Sequence, residues 1–256
     1  MRTFIIFISS FLLLGNSCAL AQYARFVTQG TIEYEKSVNM YALLRKDAGD
    51  NDGMWQQVID QYKKTQPQFK KLKSTLTFSG DRALFKPADE TEGNASWAEG
   101  PMVKQNNTVF TNFSTMESVV QKKVFEETFL VRDTTRKIRW KITSQMREIA
   151  GYECRRANAL ILDSIYVVAF YTEKIPVSGG PESFNGLPGM ILGVALPHEN
   201  ITWFATKVTD QAVPPSSVTP PAKGKVVNNK QLKETLLSAL KSWGDYAKSA
   251  LKAFLL

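Results

Sequence analysis

"FNGLPGMILGVALP", residues 184–197, sets a puzzle whose solution decides the fold. It holds three glycines and two prolines, yet every other residue except Asn185 is apolar. Loops are usually polar, and strand interiors usually exclude Pro and Gly. Both tendencies are met if the chain reverses sharply and enters a buried sheet at once. Pro188 then supplies a φ of about −65° at the second position of a turn. Gly189 supplies the positive φ of a type II turn at the third. Met190–Leu196 follows as a short buried strand, stopped by Pro197.

The flanking sequence fits a sheet. "SIYVVAFYTEKI" (164–175) is apolar on both faces over Ile165–Tyr171, as a central strand is. "KKVFEETFLVRD" (122–133), "RKIRWKITSQMREI" (136–149) and "YECRRANALILD" (152–163) read as three further strands, and "ITWFATKV" (201–208) closes the series. In the second of these, Ile138, Trp140 and Ile142 alternate with Arg139, Lys141 and Thr143. Nearer the start, "TIEYEKSVNMYALL" (31–44) alternates as a half-buried strand, with Ile32, Tyr34, Val38 and Met40 on one face. A helix follows, capped by Asp50 or Asp52, striped by Met54, Trp55, Val58, Ile59 and Tyr62, and ended by Pro67. "STLTFSGDRALFKP" (74–87) is a hairpin turning at Gly80-Asp81, and residues 87–107 read as a long loop.

After residue 210 the composition changes. "VPPSSVTPPAKGK" is an extended Pro-rich connector, 211–228. Residues 229–256 form one basic amphipathic helix, striped by Leu232, Leu236, Leu240, Trp243, Ala247, Leu251 and Phe254, which Gly244 weakens by about 1 kcal/mol. The expected fold is mainly β (α+β): a curled antiparallel meander of seven to ten strands wrapped around a helix, a half-barrel, with the amphipathic helix at its end. The β-rich domain spans residues 22–210.

The beginning of the chain places it in a compartment. A short positive start, an apolar core from Phe4 to Leu14 and the small residues of Ala19-Leu20-Ala21 make residues 1–21 a secretory signal peptide cleaved before Gln22. The alternative, lipidation of Cys18, lacks the Leu expected three positions upstream. Cleavage removes Cys18 and leaves Cys154 as the lone mature cysteine, so no internal disulfide forms. One His and one mature Cys exclude a multi-His or multi-Cys zinc site. The formal net charge is +8, and loss of Arg2 lowers it by one. The lysines are scattered and accompany no nucleic-acid-binding pattern, so no nucleic acid is expected.

The candidate residues are few. Cys154 is either a nucleophile needing His198 as its base or a small buried hydrophobe. His198, between Pro197 and Glu199, reads as an exposed turn. Glu126-Glu127 and Asp89-Glu90 are adjacent acids, and Glu126 and Glu127 would face opposite ways in a strand. The terminal helix suits a lipid headgroup layer or a partner groove, or else docks on its own sheet. Gly186, Leu187, Pro188, Gly189, Met190 and Ile191 serve either backbone geometry or recognition.

"GLPGMI" at 186–191 resembles the signature of the GLPGLI family, exported proteins of Bacteroidota. "IAGYECRRA" (149–157) is similar to that family's Gly-Tyr-x-Cys-x-x-Ala element. "AFYTEKIPVSGGPESFNGLPGMIL" (169–192) is similar to its aromatic-Tyr-Thr-x-x-Ile-Pro segment. The resemblance covers roughly residues 30–210. Met190 departs from the usual Leu, and the connector with its basic helix is an extension. The family has no established activity, so the resemblance implies location and fold: periplasm or outer-membrane association, and by fold-level analogy a sheet like that of lipoprotein carriers. It also makes an accessory role beside TonB-dependent outer-membrane transporters an expectation. The expected function is a non-enzymatic envelope protein binding a hydrophobic ligand, a peptide or such a transporter, without cofactor, metal or catalytic residues. The alternative is a secreted hydrolase with an unrecognised active site.

Overall fold

The computed structural model describes residues 26–48, 52–88, 99–104 and 107–256. The expected leader, Cys18, Asp50, the pair Asp89-Glu90 and most of the expected long loop lie outside these residues.

Twelve strands form one open sheet. A first meander contains β1 (Gln29–Asn39), β2 (Phe69–Ser79), β3 (Arg82–Pro87), β4 (Asn107–Asn112), β5 (Glu117–Val124) and β6 (Glu127–Thr134). A second contains β7 (Lys141–Ile149), β8 (Tyr152–Ile161), β9 (Ile165–Thr172), β10 (Met190–Leu196) and β11 (Ile201–Asp210). The two join along an antiparallel seam of β1 and β11, from Gly30 opposite Asp210 to Val38 opposite Ile201. The last strand, β12 (Lys225–Val227), adds in parallel to β6.

This order requires strong curl. Strand β7 lies at one end of the sheet and β6 one strand in from the other, ten strand spacings away. In a flat sheet they would be roughly 48 Å apart, at about 4.8 Å per strand. Only residues 135–140 connect them, and an extended chain of that length reaches about 25 Å at most. The sheet therefore bends until its ends approach. Ile138 and Trp140 of this connecting strap pack against the inner core.

The helices are α1 (Met40–Ala48), α2 (Asp52–Thr65), α3 (Pro101–Lys104), α4 (Asn229–Ala239) and α5 (Gly244–Leu255). Leu43 and Leu44 of α1, Ile59 and Tyr62 of α2 and Val103 of α3 pack with Trp203, Tyr171 and Val194 of the sheet. Phe184 and Leu187, from the loop before β10, enter the same core. The inner space is thus filled by the protein's own side chains. The stripe of α4 and α5 (Leu232, Leu236, Leu240 and Phe254) packs on Val124, Phe129 and Val131 of β5 and β6.

Several boundaries differ from the sequence reading, each for a local reason. The strand expected over 31–44 ends at Asn39, because the Asn39 Oδ1 accepts from the Ala42 N–H (3.2 Å) and starts α1. The run 122–133 is a hairpin: β5 and β6 turn at Phe125-Glu126, with Phe125 at φ 53°. The preceding strands β4 and β5 carry apolar alternation too weak to mark them in the sequence. The run 136–149 is strand only from Lys141, and Ile138 and Trp140 belong to the strap. The connector contributes β12 besides extended chain. The terminal helix is two helices, because Gly244 at φ 57° breaks it.

Candidate ligand cleft

Lys36 is the anomaly in β1. It shares the face of Tyr34 and Val38, and like them it is buried. Its Nζ donates to the carbonyls of Met102 (3.0 Å) and Val103 (3.2 Å) and lies 5.2 Å from the centre of the Trp203 ring. Lys122 repeats the pattern on β5, between Val120 and Val124. Its buried Nζ donates to the Phe254 carbonyl at 2.6 Å.

The loop that carries the GLPGMI motif delivers the matching acid. Glu182 is buried at φ 51°, a conformation unusual for a non-glycine residue, and accepts from Asn107 Nδ2 at 2.9 Å. The strap adds Arg136. Its Nη2 donates to the backbone oxygens of Leu255 and, at 3.2 Å, Leu256. Ser183 Oγ donates to the same Leu256 oxygen at 2.9 Å. Strap, motif loop and the end of α5 therefore meet at one place. The cleft there is small, about 50 Å3, and open to solvent; polar Asn107, Glu182 and Ser183 line it together with apolar Val109, Val120, Val131 and Leu232.

Burial governs the electrostatics. It lowers the Lys122 ammonium to about 8, with Glu182 opposing the shift and Arg136 reinforcing it. It lowers Arg136 as well. It raises the Glu182 carboxyl, against the pull of Lys36, the Asn107 hydrogen bond and Lys122. Cations gathered at a partly apolar cleft can receive an anionic group, in competition with Glu182.

The motif itself is tied to the sheet and the strap through its backbone carbonyls. Ser178 Oγ donates to the Leu187 carbonyl (2.7 Å), Trp140 Nε1 to the Asn185 carbonyl (2.9 Å) and Tyr34 Oη to the Ile191 carbonyl (2.6 Å). Leu187, Met190 and Ile191 are buried, whereas Gly186 and Pro188 are exposed. The expected type II turn is not formed. The Met190 N–H donates to Ile175 rather than to Leu187, and the positive φ (91°) falls on Gly186, not Gly189. Gly189 is needed for a different reason: a Cβ there would collide with the Thr172 carbonyl.

Cys154 is fully buried, and its Sγ donates to the Tyr152 carbonyl at 3.4 Å. Burial pushes its thiol up to about 12, the opposite of an activated nucleophile. His198 lies on an exposed 3-10 turn with its ring 6.3 Å from that of Tyr166. Glu126 and Glu127 are exposed at the β5–β6 turn. Among the described residues no three His, Cys, Asp or Glu side chains gather as a metal site, and no helix is long and apolar enough to cross a membrane. The sequence reading misses Lys36, Lys122, Arg136, Glu182 and Ser183. Lys36 and Lys122 are legible in principle, as charges at apolar positions of an alternation. Nothing local marks the other three.

A fold-level likeness emerges on comparison with solved structures. The structure of PNGF-II in space group P21 matches 81% of this chain with a TM-score of 0.51 at 17% identity, and a C2 crystal form matches 80% with 0.50 at 16%. The chain spans about a third of the length of PNGF-II (33% and 32%). An uncharacterized conserved protein from Thermus thermophilus matches more loosely, with a TM-score of 0.38 at 4% identity over 79% of this chain and 91% of that one. Residues 160–193, from the end of β8 through the GLPGMI motif, match the model of a protein family of unknown function, Porph_ging. No curated protein matches the chain significantly.

Proposed function

We propose that the protein is an exported envelope protein of the GLPGLI type that binds a ligand in the cleft beneath α5, in the service of an outer-membrane transport partner. The observation that carries this reading is the convergence of Lys122, Arg136 and Ser183 on backbone oxygens at the end of a helix, at a cleft with apolar walls. Buried charged donors gathered beside Glu182 are an expensive arrangement for stability alone. The leader-like residues 1–21 and the motif support the envelope location. The apolar ligand expected from the fold class becomes an amphiphilic one, because the inner face is already filled.

A hydrolase would need nucleophile and base within hydrogen-bond reach. Cys154 and His198 sit in unrelated surroundings, so binding is the better-supported reading. Native mass spectrometry of protein purified from its own envelope tests it. A retained mass on the wild type that is absent from Lys122→Met supports the reading. A bare chain from both rejects it. The same spectra report the N-terminus: Gln22 is expected, and a diacylglyceryl mass on Cys18 would contradict it.

A further inference from the structure

We infer that the protein docks on an anionic lipid surface through an aromatic knob, formed where the β5–β6 turn meets the break between α4 and α5. The inference goes beyond the binding reading above and uses none of the cleft's polar groups.

Three of the five exposed aromatic side chains among the described residues gather at this one place. The Trp243 ring centre lies 5.2 Å from that of Phe125 and 5.7 Å from that of Tyr246, and each of the three side chains is nearly half exposed (45%, 44% and 46%). A fourth ring, Phe254, is buried and meets Phe125 edge-on at 5.2 Å, which seats the knob on the core. The apolar stripe that the sequence offered to a lipid layer is not available, because Leu232, Leu236, Leu240 and Phe254 face the sheet. The exposed aromatic surface sits instead at the break.

These residues stand where local rules favour others. A two-residue hairpin loop favours Asn, Asp or Gly, which accept a positive φ, yet Phe125 holds φ 53° there. The N-cap of α5 is Trp243, which makes no side-chain bond to the helix, although Ser, Thr, Asp or Asn would. Two adjoining positions thus give up turn and cap chemistry for exposed rings. Such local conflicts mark surfaces kept for contact rather than for folding.

The chemistry of the knob selects its partner. Trp and Tyr combine an apolar body with a polar tip and settle at the headgroup level of a bilayer. Here the rings are tilted by 47° and 31° to one another, so they share no plane on which a rigid flat ligand could stack, whereas a lipid layer deforms around them. The charge is complementary to an anionic surface. Residues 223–256 hold seven lysines against Glu234 and Asp245, a net +5 of the chain's +8. Exposed Lys241 and Lys248 bracket Trp243 and Tyr246 along the chain, and exposed Lys123 and Lys225 flank the Phe125 turn. Glu126 and Glu127 share that turn, and Lys225 lies 3.6 Å from Glu127, so the excess charge comes mainly from the helices. The rings supply insertion and the lysines supply the preference for anionic headgroups.

The test uses the whole mature chain, beginning at Gln22, and two vesicle probes: phosphatidylcholine alone, and phosphatidylcholine mixed with phosphatidylglycerol. Co-sedimentation should show binding to the mixed vesicles at least about tenfold tighter than to the neutral ones, the effect of about two lysines at an anionic surface, and added salt should reduce the difference. Trp243→Ala and Phe125→Asn should each weaken binding at least about tenfold. Asn suits a positive φ, so Phe125→Asn is expected to keep the fold, and circular dichroism with urea melts checks both variants. Lipids brominated near the headgroup should quench the wild type more than lipids brominated near the chain end. That quenching should disappear in Trp243→Phe, which keeps a ring and should still sediment with the vesicles.

Equal binding to the two vesicle types overturns the inference, as does binding unchanged in a folded Phe125→Asn or Trp243→Ala chain. Quenching that survives Trp243→Phe would place a different tryptophan in the lipid and overturn it too. A dimer in analytical centrifugation that Trp243→Ala abolishes, without vesicle binding, would assign the knob to a second copy of the chain. None of these results bears on the cleft, whose own test is the mass retained by the purified protein.

Discussion

At Gly189 a methyl group has nowhere to go, because the Thr172 carbonyl of the neighbouring strand occupies its place. Gly186 has the opposite problem: a Cβ would make only ordinary contact with the Trp140 ring, but φ is 91°. The two glycines of one motif therefore fail differently. Gly189→Ala should cost about 3 kcal/mol, at the upper end of overpacking, whereas Gly186→Ala should cost about 1 kcal/mol of backbone strain. Pro188→Ala should cost less than about 1 kcal/mol, since it chiefly loosens the unfolded chain. Urea melts of the three variants check the order, and equal midpoints for both glycine variants would refute it. The motif is legible as demanding glycine, but the reason is not, since the collision comes from a strand that local turn rules do not see. Lys122 gives a second test. Its folded value of about 8 lies below its ordinary 10.5, so between these values the unfolded chain holds more protons and stability rises with pH. Cys154 opposes this from about pH 9 upward, because its folded thiol resists ionisation. Urea midpoints should thus rise between about pH 8 and 9 in the wild type and lose that rise in Lys122→Met. Arg136 and Glu182 face the same ammonium, so the variant also reports whether their charges are redistributed.

Among the elements, the C-terminal pair shows how periodicity misleads. Leu232, Leu236, Leu240, Trp243, Ala247 and Phe254 keep helical spacing across the break, so the stripe alone predicts one rod. Gly244 marks a weak point in the sequence, but a bend in the chain is chosen by tertiary packing: α4 docks on β6, and α5 must reach the cleft. The start of α4 is local and therefore more secure. Asn228 accepts from the Gln231 N–H (2.8 Å) while Gln231 Oε1 accepts from the Asn228 N–H (2.9 Å), a reciprocal capping box. Asn228→Ala should remove about 1 kcal/mol. Gly244→Ala should cost about 1 kcal/mol from its positive φ, with no clash. Amide exchange separates the two: the first should free α4 and the second only α5. A uniform increase across both helices would mean they open as one unit. The hairpin of β5 and β6 hides in the sequence for a similar reason. Phe125 at its turn is apolar and has φ 53°, so neither Gly nor Asn announces the reversal. By contrast, β9 is recognisable because a strand buried on both faces must be apolar throughout, as Ile165–Thr172 nearly is.

The whole molecule is two meanders closed by a seam, and the strand that opens the sequence of the sheet finds its second partner last. β1 pairs with β2 across the helical insertion, but its other edge waits for β11, with Glu35 opposite Phe204. Curl and strand type are legible from alternation, whereas the seam is not, because nothing in a strand's own residues names a partner so far along the chain. The hairpins of β5 with β6 and β8 with β9 are joined by short turns and have low loop-closure cost. The seam requires the whole intervening chain to be in place, and its closure carries the largest entropy cost in the sheet. Burial of Tyr34, Trp203 and Lys36 depends on it. In refolding followed by pulsed hydrogen exchange, amides of β5, β6, β8 and β9 should gain protection before those of β1 and β11. The Tyr34–Ile191 hydrogen bond should form with the later group, because it ties β1 to β10 across β11. Trp203→Phe, at the seam, should slow the late phase and leave the early one unchanged. Simultaneous protection of the hairpins and the seam would show that the sheet condenses as a single unit, and would remove the distinction between two meanders as a folding statement.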